Sequence, residues 1–412
     1  MPAENTASTI SAWLKEIYAD SLQSLIPDGV RLLKLVKFSS GEKELGDKYI
    51  QPLSLTHEFG FSVGSGAFSL NDAVAGVYEE AQVQGKNLLL RTQVSYDAMA
   101  KASNNKKAFM KWSEQIVGNM TESFTKRLEI LAFYGSTSLG TVGAVSDSSG
   151  TNTLTITTAT WASGIWAGTE GMLLDAYTST TKQNTNATLV ISAVDLGART
   201  ITVTGNSSDT AAIDVGSTLH FRAHYGSEMN GVDKIVTNTG SLYNISASTY
   251  ALWKGNSYSA GSAGLTFAKV LQAVALGSGK GLDEKVAIFC SHATFADLNV
   301  SLGALQRADS SYKKSKGEQG YETISFYGPN GEVEVIPSIY VKEGEAFAIP
   351  TGRFKRIGSC DVTMKMPGQS DDQLVLQLPS NAGYEMRLFT DQNLFCERPG
   401  YCTKITGIVN NA

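Results

Sequence analysis

Seven large apolar residues, Phe109, Trp112, Ile116, Met120, Phe124, Leu128 and Leu131, recur at spacings of three and four. That period places them on one face of a helix over residues 105–134. Ser103–Asn105 offers N-caps, and Gly135 suits the position just past the C-terminus. Thirty helical residues at about 1.5 Å each make a rod of about 45 Å. A rod of that length runs the whole extent of a domain, so the rest of the chain must be laid out along it.

Beyond the rod the chemistry changes. No charge occurs between Ser148 and Thr169, and six of the twelve residues of Gly150–Trp161 are threonine. Leu154 and Ile156 fall on one strand face, with Thr153, Thr155 and Thr157 on the other. This suits a pleated surface solvated on one side. The pattern returns at Arg199–Ser208, where Ile201 and Val203 share a face. Each copy is followed by a glycine-marked strand, Gly168–Asp175 and Asp214–Phe221. Residues 140–222 therefore read as a small inserted β domain with a loose twofold repeat. Its core would join Leu154, Ile156, Ile201 and Val203.

Upstream, residues 53–66 read as a strand with His57, Phe59, Phe61 and Val63 on one face, broken at Gly64–Gly66. Residues 80–96 read as a second ribbon, and the stretch between them as a tip. A two-stranded hairpin is marginal alone in water. This polar one needs another surface, with Phe59, Phe61, Leu88 and Leu90 as anchors on a neighbouring subunit. Between residues 8 and 37, Ile10, Trp13, Ile17 and Leu25 suggest one amphipathic face, stopped at Pro27–Gly29. It is either a small packed helix or an arm lying on a neighbour, with Trp13 as its contact.

Downstream the chain is mixed. Gly264–Gly277 and Ala293–Leu305 read as helices around a buried strand at Glu284–Ser291. Tyr321–Pro337 reads as strand–turn–strand, and Gly383–Ile408 as two strands around Arg398–Gly400.

Composition narrows the function. Only 18% of residues are charged, the net charge is −5, and there is no Lys/Arg block. Such a chain is a poor nucleic-acid groove, although a weakly acidic wall can face nucleic acid without adsorbing it. No run of about eighteen apolar residues predicts a membrane span, and no signal peptide is visible. Four cysteines make a reduced, cytosolic protein the default reading.

No chemical constellation emerges. In Gly277–Gly281 a glycine follows Lys280 where a phosphate loop needs Ser or Thr, so a helix C-cap is expected. His220 and His224 would share a strand face but lack a third ligand nearby in sequence. Cys290, Ser291 and His292 lack a nucleophile elbow. Asp371–Asp372 and Glu79–Glu80 are adjacent and point apart. Cys396 and Cys402 would face each other across a hairpin, but a reduced compartment argues against a disulfide. No catalytic, cofactor or metal residue is assigned, no cofactor is expected, and an enzyme is not. The pattern leans towards structure and assembly.

The order of parts resembles the tailed-bacteriophage major capsid proteins of the Hong Kong 97-type fold. Leu53–Ala102 resembles the extended loop, Lys106–Tyr134 the spine helix, Leu265–Leu305 the axial domain, and Tyr384–Ile408 the strands returning to the peripheral domain. The resemblance implies an α+β fold with an N-terminal arm (1–50), extended loop (51–100), peripheral domain with spine helix (101–139), inserted β domain (140–222), axial domain (223–345) and return segment (346–412). It also implies a shell of pentamers and hexamers around double-stranded DNA, assembled in the host cytoplasm and residing in the virion. Scaffold, portal and cement or decoration proteins would be its partners; no membrane is involved. The insert has no counterpart in the minimal fold. Residues 1–50 are too few for a long cleaved scaffolding segment, and no Lys–Asn cross-linking pair is identified. Two alternatives are a nanocompartment shell of the encapsulin kind and a secreted β-rich surface or glycan-binding protein.

Overall fold

A computed structural model describes residues 29–39, 48–96, 112–306, 324–328, 331–364, 376–378 and 382–410. The chain divides into two units. The larger comprises Pro27–Leu88, Thr125–Thr363 and Phe389–Ala412; the smaller comprises Met1–Ile26, Leu89–Phe124 and Met364–Leu388.

The first strands are β1 (Tyr49–Ser54) and β2 (Tyr78–Val83), paired antiparallel from Tyr49↔Val83 to Ser54↔Tyr78. Strand β3 (Lys86–Ser95) follows after two residues. The strand expected over 53–66 is thus displaced: β1 ends at Ser54, and 55–77 carries no strand. Glycines at 60, 64, 66 and 76 explain this, since glycine forfeits the most backbone entropy in a strand.

The long helix covers Trp112–Tyr134, and Met120, Phe124, Leu128 and Leu131 are buried along it. The periodic face is therefore real where it is described; Ser103–Asn105 and Phe109 lie outside the described residues. Its end differs from expectation. Ser136, not Gly135, takes the left-handed conformation, with φ 61°. Gly135 is needed for closeness instead, because a Cβ there would collide with the Met229 carbonyl oxygen. Gly231 is its counterpart: a Cβ would lie 2.6 Å from Gly135 N, and Gly231 N–H donates to Gly135 O at 3.0 Å.

A charge also hides in this helix. Glu129 is fully buried, and its carboxylate accepts the backbone N–H groups of Arg31, Leu32 and Leu33 at 2.7–3.0 Å. It thereby satisfies the first turn of the short helix Leu32–Leu35. Burial pushes its carboxyl above the usual range, while those three hydrogen bonds pull the other way.

Seven strands follow: β4 (Gly140–Ser148), β5 (Thr151–Ile156), β6 (Leu173–Thr178), β7 (Thr181–Lys182), β8 (Leu189–Asp195), β9 (Thr200–Thr204) and β10 (Thr218–Phe221). Strand β10 pairs with both β4 and β6, closing a ring β4-β5-β9-β8-β6-β10. The twofold pattern in the sequence has a structural basis. β4, β5, the helix Ser163–Trp166 and β6 form one half; β8, β9, the helix Ser207–Ala211 and β10 form the other. Exchanging the halves maps every pairing of the ring onto another pairing or itself. Thr153 and Thr202 meet at the β5–β9 pair, with their Oγ1 atoms 3.4 Å apart. Leu154 pairs with Ile201, and Leu154, Ile156, Ile201 and Val203 are all buried. The ring's core is not sealed off from the rest. It continues to Phe133 and Tyr134 in one apolar cluster, and Gly164 N–H donates to Ile339 O at 3.0 Å.

The remaining strands are β11 (Ser241–Leu242), β12 (Ile245–Ser246), β13 (Asn256–Ala263), β14 (Val286–Cys290), β15 (Ile324–Gly328), β16 (Gly331–Pro337), β17 (Glu345–Ile349), β18 (Phe354–Thr363), β19 (Leu376–Gln377), β20 (Gly383–Cys396) and β21 (Thr403–Ile408). A mixed sheet runs β13-β21-β17-β14-β16-β15, crossing the 345/346 boundary drawn from the sequence. The helices expected there form as Phe267–Ser278 and His292–Gln306 and join one apolar cluster with this sheet. From the other cluster, Phe133 packs edge-on to Phe289 with centroids 5.5 Å apart, and Tyr134 edge-on to Phe347 at 6.0 Å. A second sheet pairs β20 with β18, β19 and β3. The two strands of Gly383–Ile408 therefore form, but they diverge into different sheets rather than forming a hairpin. In the smaller unit, Tyr96 stacks on Tyr384 and Gln93 donates to Glu385 at 3.2 Å.

Candidate assembly surface

The β1–β2 pair is firmly tied at its base. Ala81 and Val83 are buried, Gln82 N–H donates to Tyr243 O at 2.9 Å, and Asn393 Nδ2 donates to Gln84 O at 2.9 Å. Tyr49 meets the edge of the Phe395 ring at 5.9 Å. Moving outward, the ties thin. Leu55 N–H donates to Val77 O at 2.9 Å and Phe59 N–H to Val74 O at 3.0 Å. Asn71 then closes the tip, donating Nδ2 to Phe61 O and its backbone N–H to Ser62 Oγ, both at 2.7 Å. Gly66 turns the chain with φ 75°.

The large apolar residues at the outer end of this loop are exposed. Phe59 is 60% exposed, Phe61 78%, Val63 97% and Leu70 80%. Side chains of this size so exposed in one loop make it the candidate surface. Of the residues singled out from sequence, Phe59 and Phe61 are here. Leu88 packs on the subunit's own core and Leu90 is half-buried, so Leu89 is the outward leucine of β3. Trp13 lies outside the described residues. Leu70 and Val74 were not singled out from sequence, because they fall in the stretch read as a tip.

The other chemical candidates lie at helix ends, in a strand and in a turn. Lys280 Nζ donates to Lys254 O at 2.5 Å beyond the end of its helix. Ser291 Oγ accepts Thr294 N–H at 3.2 Å, an N-cap for the helix His292–Gln306, and burial pushes the Cys290 thiol up to about 12. His220 lies in β10 but His224 lies in the following turn, so they do not share a strand face. Burial pulls both imidazoles down to about 4, and both are neutral at pH 7. His220 and Glu228 line a 310 Å³ cleft with Ser136, Tyr225, Asn230 and Lys234. Burial lifts the Glu228 carboxyl to about 7, although Ser136 N–H donates to it at 2.9 Å. Among the described residues, no group of three or more His, Cys, Asp or Glu is gathered as metal ligands. Nor is any described helix long and apolar enough to cross a membrane. Asp371–Asp372 lies outside the described residues.

No family model matches the chain, and no curated protein matches it. Solved structures do. The capsid asymmetric unit of cyanophage A-1(L) aligns with TM-score 0.61 and 11% identity, over 98% of this chain and 99% of that one. The capsid of an empty GTA particle aligns with TM-score 0.52 and 6% identity, over 99% and 100%. The native GTA particle gives 0.52 and 8%, over the same shares. At such identities the likeness speaks for the fold: this chain has the mixed α/β fold of phage capsid proteins.

Proposed function

We propose that this chain is the major capsid protein of a tailed bacteriophage, a structural subunit that self-assembles into the icosahedral shell around double-stranded DNA. The observation that carries the reading is the end-to-end fold match to the cyanophage A-1(L) capsid. A shell subunit also accounts for an exposed apolar loop on a firmly anchored stem. In Hong Kong 97-type terms, residues 51–100 are the extended loop, the Trp112–Tyr134 helix is the spine, and the β4–β10 ring is an insertion. Pentamers and hexamers are the expected capsomers, the virion the expected location, and scaffold, portal and decoration proteins the expected partners. The net charge of −5 suits a wall that encloses DNA without gripping it. The subunit acts by contact alone, without catalysis.

Negative-stain microscopy of the expressed protein, with and without its phage neighbours, tests this. Closed shells or capsomer rings are expected. A protein that stays monomeric under every condition overturns it, and shells that select a protein cargo point to a nanocompartment instead.

A further inference from the structure

Strand β20 ends at Cys396, and Cys402 stands immediately before β21. Although these strands leave for different sheets, the two sulfurs lie 3.9 Å apart, both fully buried and both free. The connection holds them there. Cys402 N–H donates to Pro399 O at 3.0 Å, and Tyr401 N–H to Arg398 O at 3.1 Å. Asn256 Nδ2 donates to Gly400 O at 2.7 Å and Cys402 O at 3.1 Å. On the other side, Glu397 N–H donates to Arg353 O at 3.1 Å, and its carboxylate pairs with Lys355 at 2.9 Å. Both ends of the turn are anchored, which holds the thiols as neighbours. A disulfide needs sulfurs about 2.05 Å apart. To close the remaining gap the two side chains must turn towards each other.

We propose that Cys396 and Cys402 form a dithiol that a small two-electron oxidant, such as a peroxide, converts to an intrachain disulfide. One thiolate attacks a peroxide oxygen, becoming a sulfenic acid as the first water leaves. The second sulfur displaces the hydroxyl as the second water. Two S–H bonds break and one S–S bond forms; the sulfurs lose two electrons and hydrogen peroxide becomes two waters. Burial and the neighbouring thiol push Cys402 well above the ordinary thiol range. The thiolate is the reactive form, so closure is slow at neutral pH and speeds up with alkalinity. The bond ties the end of one sheet to the start of the other across the Pro399–Tyr401 turn.

The sequence supplies a clean assay. Trypsin cuts after Arg387 and Lys404 and spares Arg398–Pro399, so both cysteines fall on Leu388–Lys404. A glutamate-specific protease, cutting after Glu397, separates them unless sulfur joins the halves. Full-length protein is reduced, exposed to hydrogen peroxide at pH 7 and pH 9, unfolded, alkylated with iodoacetamide and digested with both enzymes. The expected result is the two halves recovered as one species, lighter by two hydrogens than the dithiol and unalkylated. It forms several-fold faster at pH 9, while Cys290 and Cys360 stay alkylated. Separate halves with both cysteines alkylated overturn the proposal. So does over-oxidation of either sulfur without the link, or a link to Cys290 or Cys360. In Cys402→Ser protein, dimedone labelling of Cys396 on peroxide treatment supports the sulfenic step; Cys396 that takes up no dimedone counts against it.

Discussion

The β4–β10 ring and the 55–77 loop are both made of extended chain with modest apolar content, yet they dispose of it in opposite ways. Every strand of the ring has neighbours on both sides, and alternation then sends Leu154, Ile156, Ile201 and Val203 inward and the threonines outward. The loop has a partner strand only as far as Ser54 and Tyr78, and beyond that Phe59, Phe61, Val63 and Leu70 face solvent. Closure allows a small β unit to build a core. A strand pair left open cannot, and its apolar side chains are available to a neighbour.

The contrast breaks most sharply at the ring's centre. Leu154→Asp would place a charge at a fully buried position of the apolar cluster, costing about 4 kcal/mol. We expect loss of cooperative unfolding by calorimetry and of soluble subunit; a normal transition would mean the ring's core is misplaced. Next comes its neck. Gly231→Ala drives a Cβ against Gly135 N and Phe133 O, both within 2.7 Å. About 3 kcal/mol should be lost, because backbone cannot step aside as a side chain does. A midpoint in urea unchanged from wild type would show the two neck segments to be freely separable.

Glu228 offers a pH-dependent test at the same neck. Its carboxyl is lifted from 4.5 to about 7 by burial, so the native state holds its proton more tightly than the unfolded chain. Its contribution is therefore most favourable below pH 4.5, declines as pH rises towards 7, and is fully lost above that. Glu228→Gln removes this cost. It should stabilise the protein by about 3 kcal/mol at pH 8 and by nearly nothing at pH 4.5. Denaturation at several pH values reads it directly, and a gap that widens on acidification would contradict the assignment.

The loop should show the smallest effect on stability and a large one on assembly. Replacing Phe59 and Phe61 together with serine should shift subunit stability by less than about 0.5 kcal/mol. Sedimentation velocity should nonetheless show particles giving way to free subunits or capsomers. Unfolded subunits would place these rings in the core after all; unchanged particles would remove the loop from the assembly surface.

Much of this was legible in the sequence, for identifiable reasons. The helix was readable because Met120, Phe124, Leu128 and Leu131 repeat with its own period. The ring's two halves were readable because threonine and aliphatic residues alternate twice. The strand at 53–66 was misread because His57, Phe59, Phe61 and Val63 alternate too, and alternation alone does not say whether a partner strand is present. Glu129 was invisible: a single glutamate in an amphipathic helix looks like a solvated one until Arg31–Leu33 is seen to bring three N–H groups to it.

By itself, the sequence determined the periods: where chain coils, where it extends, and which side chains share a face. Those follow from backbone geometry and side-chain chemistry, which act between near neighbours. Only the tertiary structure decided what each face meets. Closure of β10 onto β4 and β6 and the glycine-on-glycine neck at 135 and 231 both depend on contacts between distant segments. Such contacts are set by the collective packing of the whole core, and no local pattern encodes them.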